Sequence, residues 1–212
     1  MTVNLTAELT DARILAIIRG TDTAAALAAG TALLEEGVRL IEVALTTPGA
    51  TRVIEALRAV APAGSLVGAG TVLTTADVAD VAAAGAQFVV TPAVVESIAE
   101  AARRGFPVVA GALTPTEAYT ATRMGASAVK LFPAAVGGPA YLKAVRDPFP
   151  DIPFVAVGGV GLDDVPGYFR AGAIAVGLGG PLVGDAASGG DLDALRARAR
   201  TYLSAVRDSA GS

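Results

Sequence analysis

Cysteine, histidine and tryptophan are all absent from the 212 residues. Without cysteine there is no disulfide, no thiolate nucleophile and no Cys-ligated zinc or iron–sulfur centre. Without histidine there is no Ser-His-Asp triad and no imidazole ligand, so neither a metal site nor a metal cofactor is expected. Aromatic residues are scarce, at 5%. Lysine is nearly missing as well: of sixteen basic residues only Lys130 and Lys143 are lysines, so chemistry that needs a side-chain amine has two candidates. A formal net charge of -4 with no basic stripe argues against a nucleic-acid partner. The uncharged stretch from Ala59 to Ala76 is interrupted by Pro62, Gly64, Gly68 and Gly70 and reads as a loop and a strand, not a membrane span. The first twenty residues carry Glu8 and Asp11 and lack the basic start and apolar block of a secretory signal, so a cytoplasmic protein is expected.

What the chain does have is a rhythm. Short runs rich in Val, Ile and Leu alternate with longer alanine-rich stretches of helical periodicity. The runs are Ile14 to Ile18, Leu40 to Leu45, Leu66 to Gly70, Phe88 to Thr91, Pro107 to Ala112, Ala128 to Phe132, Phe154 to Val157 and Ile174 to Leu178. Near-continuous apolar strands suit a parallel sheet covered on both faces, with helices as the crossovers. Gly37, Gly85, Gly105, Gly125 and Gly172 each sit where a helix should stop before the next strand. Thr75 with Asp77, Thr114 with Pro115 and Glu117, and Asp163 with Asp164 mark helix starts. No linker or low-complexity tract divides the chain. The expectation is one domain over residues 1–212, an α/β fold of the (β/α)8 TIM-barrel class with a short helix at about Val3 to Asp11 in front. A doubly wound open sheet is the alternative, but no Gly-x-Gly-x-x-Gly follows the first strand.

Strand interiors in such a fold should be apolar, and three charges break the rule: Arg19 at the end of the first run, Glu42 in the second and Lys130 in the sixth. Burying a lone charge costs several kcal/mol, which calls for a partner or a function. A structural ion pair inside the barrel would account for them. So would an active site at the C-terminal mouth, where strands 1, 2 and 6 can bring all three together. Lys143, on a helical stretch beside Arg146, reads as a solvated residue. An amine among apolar neighbours is disfavoured as ammonium, and the neutral amine can attack a ketone to form a Schiff base. The iminium then accepts the electrons of a breaking carbon–carbon bond. With no histidine available, a carboxylate such as Glu42 is the natural proton carrier.

Two glycine pairs form a second cluster: Gly158 and Gly159 after the seventh run, Gly179 and Gly180 after the eighth. Backbone N–H groups at these positions would form the phosphate cradle that barrels of this class place after strands 7 and 8. A tight turn is the plainer explanation for either pair taken alone.

The motifs Leu-Ile-Glu-Val around Glu42, Gly-Ala-Gly-Thr at 68–71, Gly-Ala-Gln-Phe-Val-Val-Thr-Pro at 85–92, Lys-Leu-Phe-Pro-Ala at 130–134 and Val-Gly-Gly-Val at 157–160 occur in this order. Together they resemble the 2-keto-3-deoxy-6-phosphogluconate (KDPG) aldolase and 4-hydroxy-2-oxoglutarate aldolase family, over nearly the whole chain. The resemblance implies a class I aldolase that splits a 2-keto-3-deoxy-6-phospho sugar acid into pyruvate and glyceraldehyde 3-phosphate, and cleaves 4-hydroxy-2-oxoglutarate to pyruvate and glyoxylate. It implies Lys130 as the Schiff-base residue, with no external cofactor, and Glu42 as the acid/base. Thr71 would bind the pyruvyl carboxylate, Phe132 and Pro92 would line the pocket, and Gly158, Gly159, Gly179 and Gly180 would hold the phosphate. It also implies a homotrimer. Two positions depart from the pattern. Thr46 stands where some members carry an arginine, which leaves Arg19 as the candidate for the carboxylate. Val157 stands where gluconate-specific members have threonine, as it does in the phosphogalactonate (KDPGal) branch. A sugar-phosphate-binding barrel without chemistry and a phosphosugar isomerase or epimerase on the same scaffold are the competing readings.

Overall fold

Each apolar run becomes a strand in the computed structural model, which describes residues 3–209. The strands are β1 (Ile14–Ile18), β2 (Leu40–Ala44), β3 (Leu66–Gly70), β4 (Val89–Val90), β5 (Val108–Ala112), β6 (Ala128–Leu131), β7 (Phe154–Val157) and β8 (Ala173–Leu178). All neighbours pair in parallel, and β8 returns to β1 to close the barrel. The open-sheet alternative is thereby excluded. The first helix, α1 (Leu5–Ala12), precedes β1. The crossovers are α2 (Thr23–Glu35), α3 (Ala50–Val60), α4 (Thr75–Ala83), α5 (Ser97–Arg103), α6 (Pro115–Arg123), α7 (Gly138–Arg146) and α8 (Val165–Arg170). After β8 come a single turn, α9 (Gly180–Val183), and the long closing helix α10 (Leu192–Asp208). Among the described residues no helix is long and apolar enough to cross a membrane.

The punctuation works as the chain chemistry requires. Gly37, Gly85, Gly105, Gly125 and Gly172 all have positive φ, the conformation that stops a helix and that glycine adopts without a Cβ penalty. Thr114 caps α6 in a capping box with Glu117, behind Pro115 in the first turn. The cap of α4 is Thr74, one residue before the expected start, paired reciprocally with Asp77. Asp164 accepts from the Gly161 amide at 3.0 Å in a short 3-10 turn before α8. The fourth run shrinks to two paired residues because its ends are used otherwise. Phe88 fills the barrel interior, while the Thr91 hydroxyl donates to the Ala93 carbonyl at 2.7 Å and accepts from the Gly111 amide at 3.2 Å.

Two buried shells follow from the alternation of strand side chains. Outward residues such as Ile14, Ile41, Val67, Val129 and Val176 join the inner faces of the helices in the larger core. Inward residues such as Leu15, Leu40, Leu66, Phe88, Val109, Val155 and Ala175 fill the barrel, and α1 closes the lower end with Leu5 and Leu9. The interior is therefore packed, and only its C-terminal end is left to hold a ligand.

Candidate active site

Alternation decides where the two buried charges point. On β2, Leu40 belongs to the barrel interior, so Glu42 two residues on shares its side. On β6 the same step leads from Ala128 to Lys130. Glu42 lies beside Ile17 on β1 and Gly68 on β3, and Lys130 beside Gly111 on β5 and Val155 on β7. Neighbouring inward positions are small for a visible reason. A Cβ on Gly68 would strike the Phe88 ring at 2.6 Å, and one on Gly70 would sit 2.7 Å from the Glu42 carboxylate. The glycines of β3 make room for the ring below and the acid above.

Lys130 is 6% exposed and Glu42 1%, with Nζ and Oε1 3.9 Å apart. This is a loose pair: the other carboxylate oxygen, Oε2, is buried with no hydrogen-bond partner. Burial pushes the Glu42 carboxyl above the usual carboxylate range, against the opposing pull of Lys130 and Arg19. The Lys130 Nζ also lies 5.1 Å from the centre of the Phe132 ring, whose own peptide bond to Pro133 is cis. An amine and an acid this close, both buried at the barrel mouth, can exchange protons with a molecule bound against them.

The third charge is different. Arg19 stands one residue beyond β1 and is exposed, so it is not a buried strand charge; the end of the strand releases its side chain to solvent at the mouth. It nevertheless lines the same cavity as Lys130. That cavity, about 250 Å3, also gathers Phe132, Val157, Gly158, Gly159, Gly179 and Gly180, with Ile17 and Val160 between them. Thr71 and Pro92 are not part of its lining. Thr71 follows β3 directly with φ 61°, a left-handed conformation that a β-branched residue seldom adopts. Pro92 packs its backbone where a Gly111 side chain would otherwise be. Lys143 is solvated, as its helix position suggests, and pairs with Asp147 at 3.3 Å.

The glycine pairs are shaped by their surroundings. Gly158 and Gly159 both have positive φ, at 94° and 72°. A Cβ on the first would meet the Phe132 ring at 2.9 Å, and one on the second the Ala135 methyl at 2.6 Å. Among the described residues, the amides of Gly158, Gly159, Val160, Gly179 and Gly180 donate to no backbone carbonyl of the fold, although all five residues line the cavity. Backbone N–H groups left free around one cavity suit an anion.

Reading the residues one by one missed Ile17, Val160, Gly177, Pro181, Val183 and Gly184, which complete the lining. The signal for most of them was their place beside one of the two glycine pairs. A larger cleft of about 650 Å3 lies along α8 and the end of α10, beside Arg13, Phe169 and Asp208. Lys130 does not line it, and Glu42 lines neither cavity.

A closed parallel barrel with one buried amine facing one buried carboxylate at its C-terminal mouth has the constellation of a carbon–carbon lyase. Comparison with known proteins makes this specific: the family model for KDPG and KHG aldolase matches residues 5–197, and the chain belongs to that aldolase family. It is 41% identical over 194 residues to a protein of Rhizobium meliloti described as a probable 2-dehydro-3-deoxy-6-phosphogalactonate aldolase, covering 91% of this chain and 90% of the relative. It is 35% identical over 198 residues to the 2-dehydro-3-deoxy-6-phosphogalactonate aldolase of Escherichia coli, covering 92% and 95%. A solved structure described as native KDPGal superposes with a TM-score of 0.88 at 34% identity, over 94% of this chain and 96% of that one.

Proposed function

We propose that this aldolase cleaves a 2-keto-3-deoxy-6-phospho sugar acid to pyruvate and D-glyceraldehyde 3-phosphate, with Lys130 as the Schiff-base residue and Glu42 as the acid/base. The observation that carries the reading is the buried Lys130–Glu42 pair, 3.9 Å apart, with Lys130 opening onto a cavity also lined by backbone amides that are left unpaired by the fold. The Lys130 amine adds to the C2 ketone, and the carbinolamine loses water to leave an iminium. Glu42 takes the C4 hydroxyl proton, directly or through water. The C3–C4 bond breaks, and its electrons pass into the iminium to give an enamine as the aldehyde leaves. Protonation of the enamine at C3, followed by hydrolysis of the imine, releases pyruvate and restores Lys130. An acid with its pKa raised by burial holds that proton more readily than an exposed carboxyl would, and so can return it.

In this reading Arg19 and Thr71 take the carboxylate, Phe132 and Pro92 border the keto acid, and Gly158, Gly159, Gly179 and Gly180 hold the phosphate. Val157, together with the names of the two relatives, favours the galactonate epimer over the gluconate. Cleavage of 4-hydroxy-2-oxoglutarate to pyruvate and glyoxylate belongs to the same chemistry, since it needs only the amine and the acid. The reading also includes a homotrimer acting in the cytoplasm as one domain, with sedimentation equilibrium as the check on the trimer. A sugar-phosphate-binding protein without chemistry would gain nothing from a desolvated amine beside a desolvated acid.

Borohydride reduction in the presence of pyruvate, followed by peptide mass analysis, tests the mechanism. The expected adduct is on Lys130 alone. No adduct, or one on Lys143, refutes it.

A further inference from the structure

The part of the cavity lined by Gly179 and Gly180 is built on a weak element. After β8 the chain runs through Gly179 and the single turn of α9 to Gly184, so three of six residues are glycine, and a lone turn has almost no stability of its own. Its N-terminal amides, at Gly179 and Gly180, must nevertheless keep their places if they are to receive an anion. The carbonyls at its other end are held by one side chain. Arg198 of α10 donates from Nε to the Leu182 carbonyl at 2.8 Å and from Nη2 to the Val183 carbonyl at 2.9 Å. Its guanidinium also fills the space over Gly184, where a Cβ would come within 2.4 Å of Nη2. Gly184 itself has φ 60° and ψ -133°, a conformation essentially reserved for glycine.

α10 is a firm support for this contact. Arg196 and Arg200, four apart and so on one face, grip Glu36 of α2 at 3.2 and 2.7 Å. Arg198 lies between them in sequence and more than half a turn round, so it faces away from Glu36. Its cation stands at the carbonyl end of α9, where it completes the open hydrogen bonds and favours the turn's dipole.

We propose that Arg198 is a positioning residue for the phosphate end of the substrate, fixing the turn that carries the Gly179 and Gly180 amides without touching the ligand itself. The inference rests on the phosphate reading given above. Steady-state kinetics of Arg198→Gln and Arg198→Lys on the phosphorylated sugar acid test it, with the rate of borohydride trapping by pyruvate as reference. Pyruvate occupies only the Lys130 end. For Arg198→Gln, KM for the phosphorylated substrate rises about tenfold or more, the scale of losing a charged hydrogen bond, while kcat stays within about twofold. Pyruvate trapping stays at the wild-type rate. Arg198→Lys, which keeps the charge and one donor, falls between wild type and Arg198→Gln. Equal loss of trapping and of KM in the lysine variant would make the role merely structural and overturn the proposal, as would an unchanged KM in both variants. Competition of inorganic phosphate with the substrate in wild type separates the two levels. If phosphate fails to compete, the cradle is not a phosphate site, and the role of Arg198 falls with it.

Discussion

Replacing Gly70 with alanine adds one methyl group and should disable the proposed acid without removing it. Gly70 ends β3, paired with Ala44 and Val90, and lacks the positive φ that would strain alanine. The added Cβ would lie 2.7 Å from Glu42 Oε1 and 3.0 Å from its carboxyl carbon, whereas ordinary contact begins at 3.4 Å, so the carboxylate must retreat by about 0.7 Å. A misplacement of about 1 Å at a reacting group can cost roughly a hundredfold, so kcat should fall between about tenfold and a hundredfold. Overpacking of this kind also costs about 1–3 kcal/mol of stability, which a folded barrel can absorb. Coupled measurement of pyruvate release gives kcat, and borohydride trapping reports separately on Lys130, which should still form its adduct. Gly68→Ala is the matched control. Its Cβ meets the Phe88 ring at the same close range, one layer deeper, so it should lose stability with a much smaller effect on kcat. A Gly70→Ala enzyme within threefold of wild type, or a Gly68→Ala enzyme equally impaired in kcat, refutes the reasoning.

Glu42→Gln should lower kcat by about 10²–10⁴-fold, the usual share of a proton-transfer group, while the protein still folds. Because burial raises the Glu42 pKa, the wild-type fold is favoured while this group is protonated and loses that advantage as pH rises through the raised value. Melting curves should therefore show the Gln variant gaining on wild type as pH increases, and a pH-independent difference would contradict the assignment. Val157→Thr restores a hydroxyl at the cavity wall, and the ratio of kcat/KM for the gluconate over the galactonate epimer should rise about five- to tenfold, as one net hydrogen bond allows. Thr114→Ala removes the α6 capping box, whose Thr114 and Glu117 do not line the Lys130 cavity; it should cost about 1 kcal/mol, or a Tm lower by about 2–4 °C, with unchanged kcat.

The parts of this molecule that were legible in the sequence are those set by local rules. A strand covered on both sides is apolar along its whole length, so eight runs became eight strands, and the two charges that violate the rule, Glu42 and Lys130, became the two buried charged residues of the barrel mouth. Arg19 was harder to read because the rule ends with the strand: one residue further on, the same side chain is at the surface, and no pattern in Ile-Leu-Ala-Ile-Ile-Arg-Gly marks where β1 stops. What remained illegible is who occupies the space beside a glycine. Gly68 and Gly70 look alike in the chain, yet one yields to Phe88 from β4's approach and the other to Glu42 from β2. Arg198 shows the same limit from the other side. In Leu-Arg-Ala-Arg-Ala-Arg it is the middle of three alternate arginines, and only the path of α10 past α9 separates it from the two that pair with Glu36. Charges within a strand announce a site because burial is implied by the strand itself, whereas a charge on a helix acquires meaning only from the turn it happens to cross.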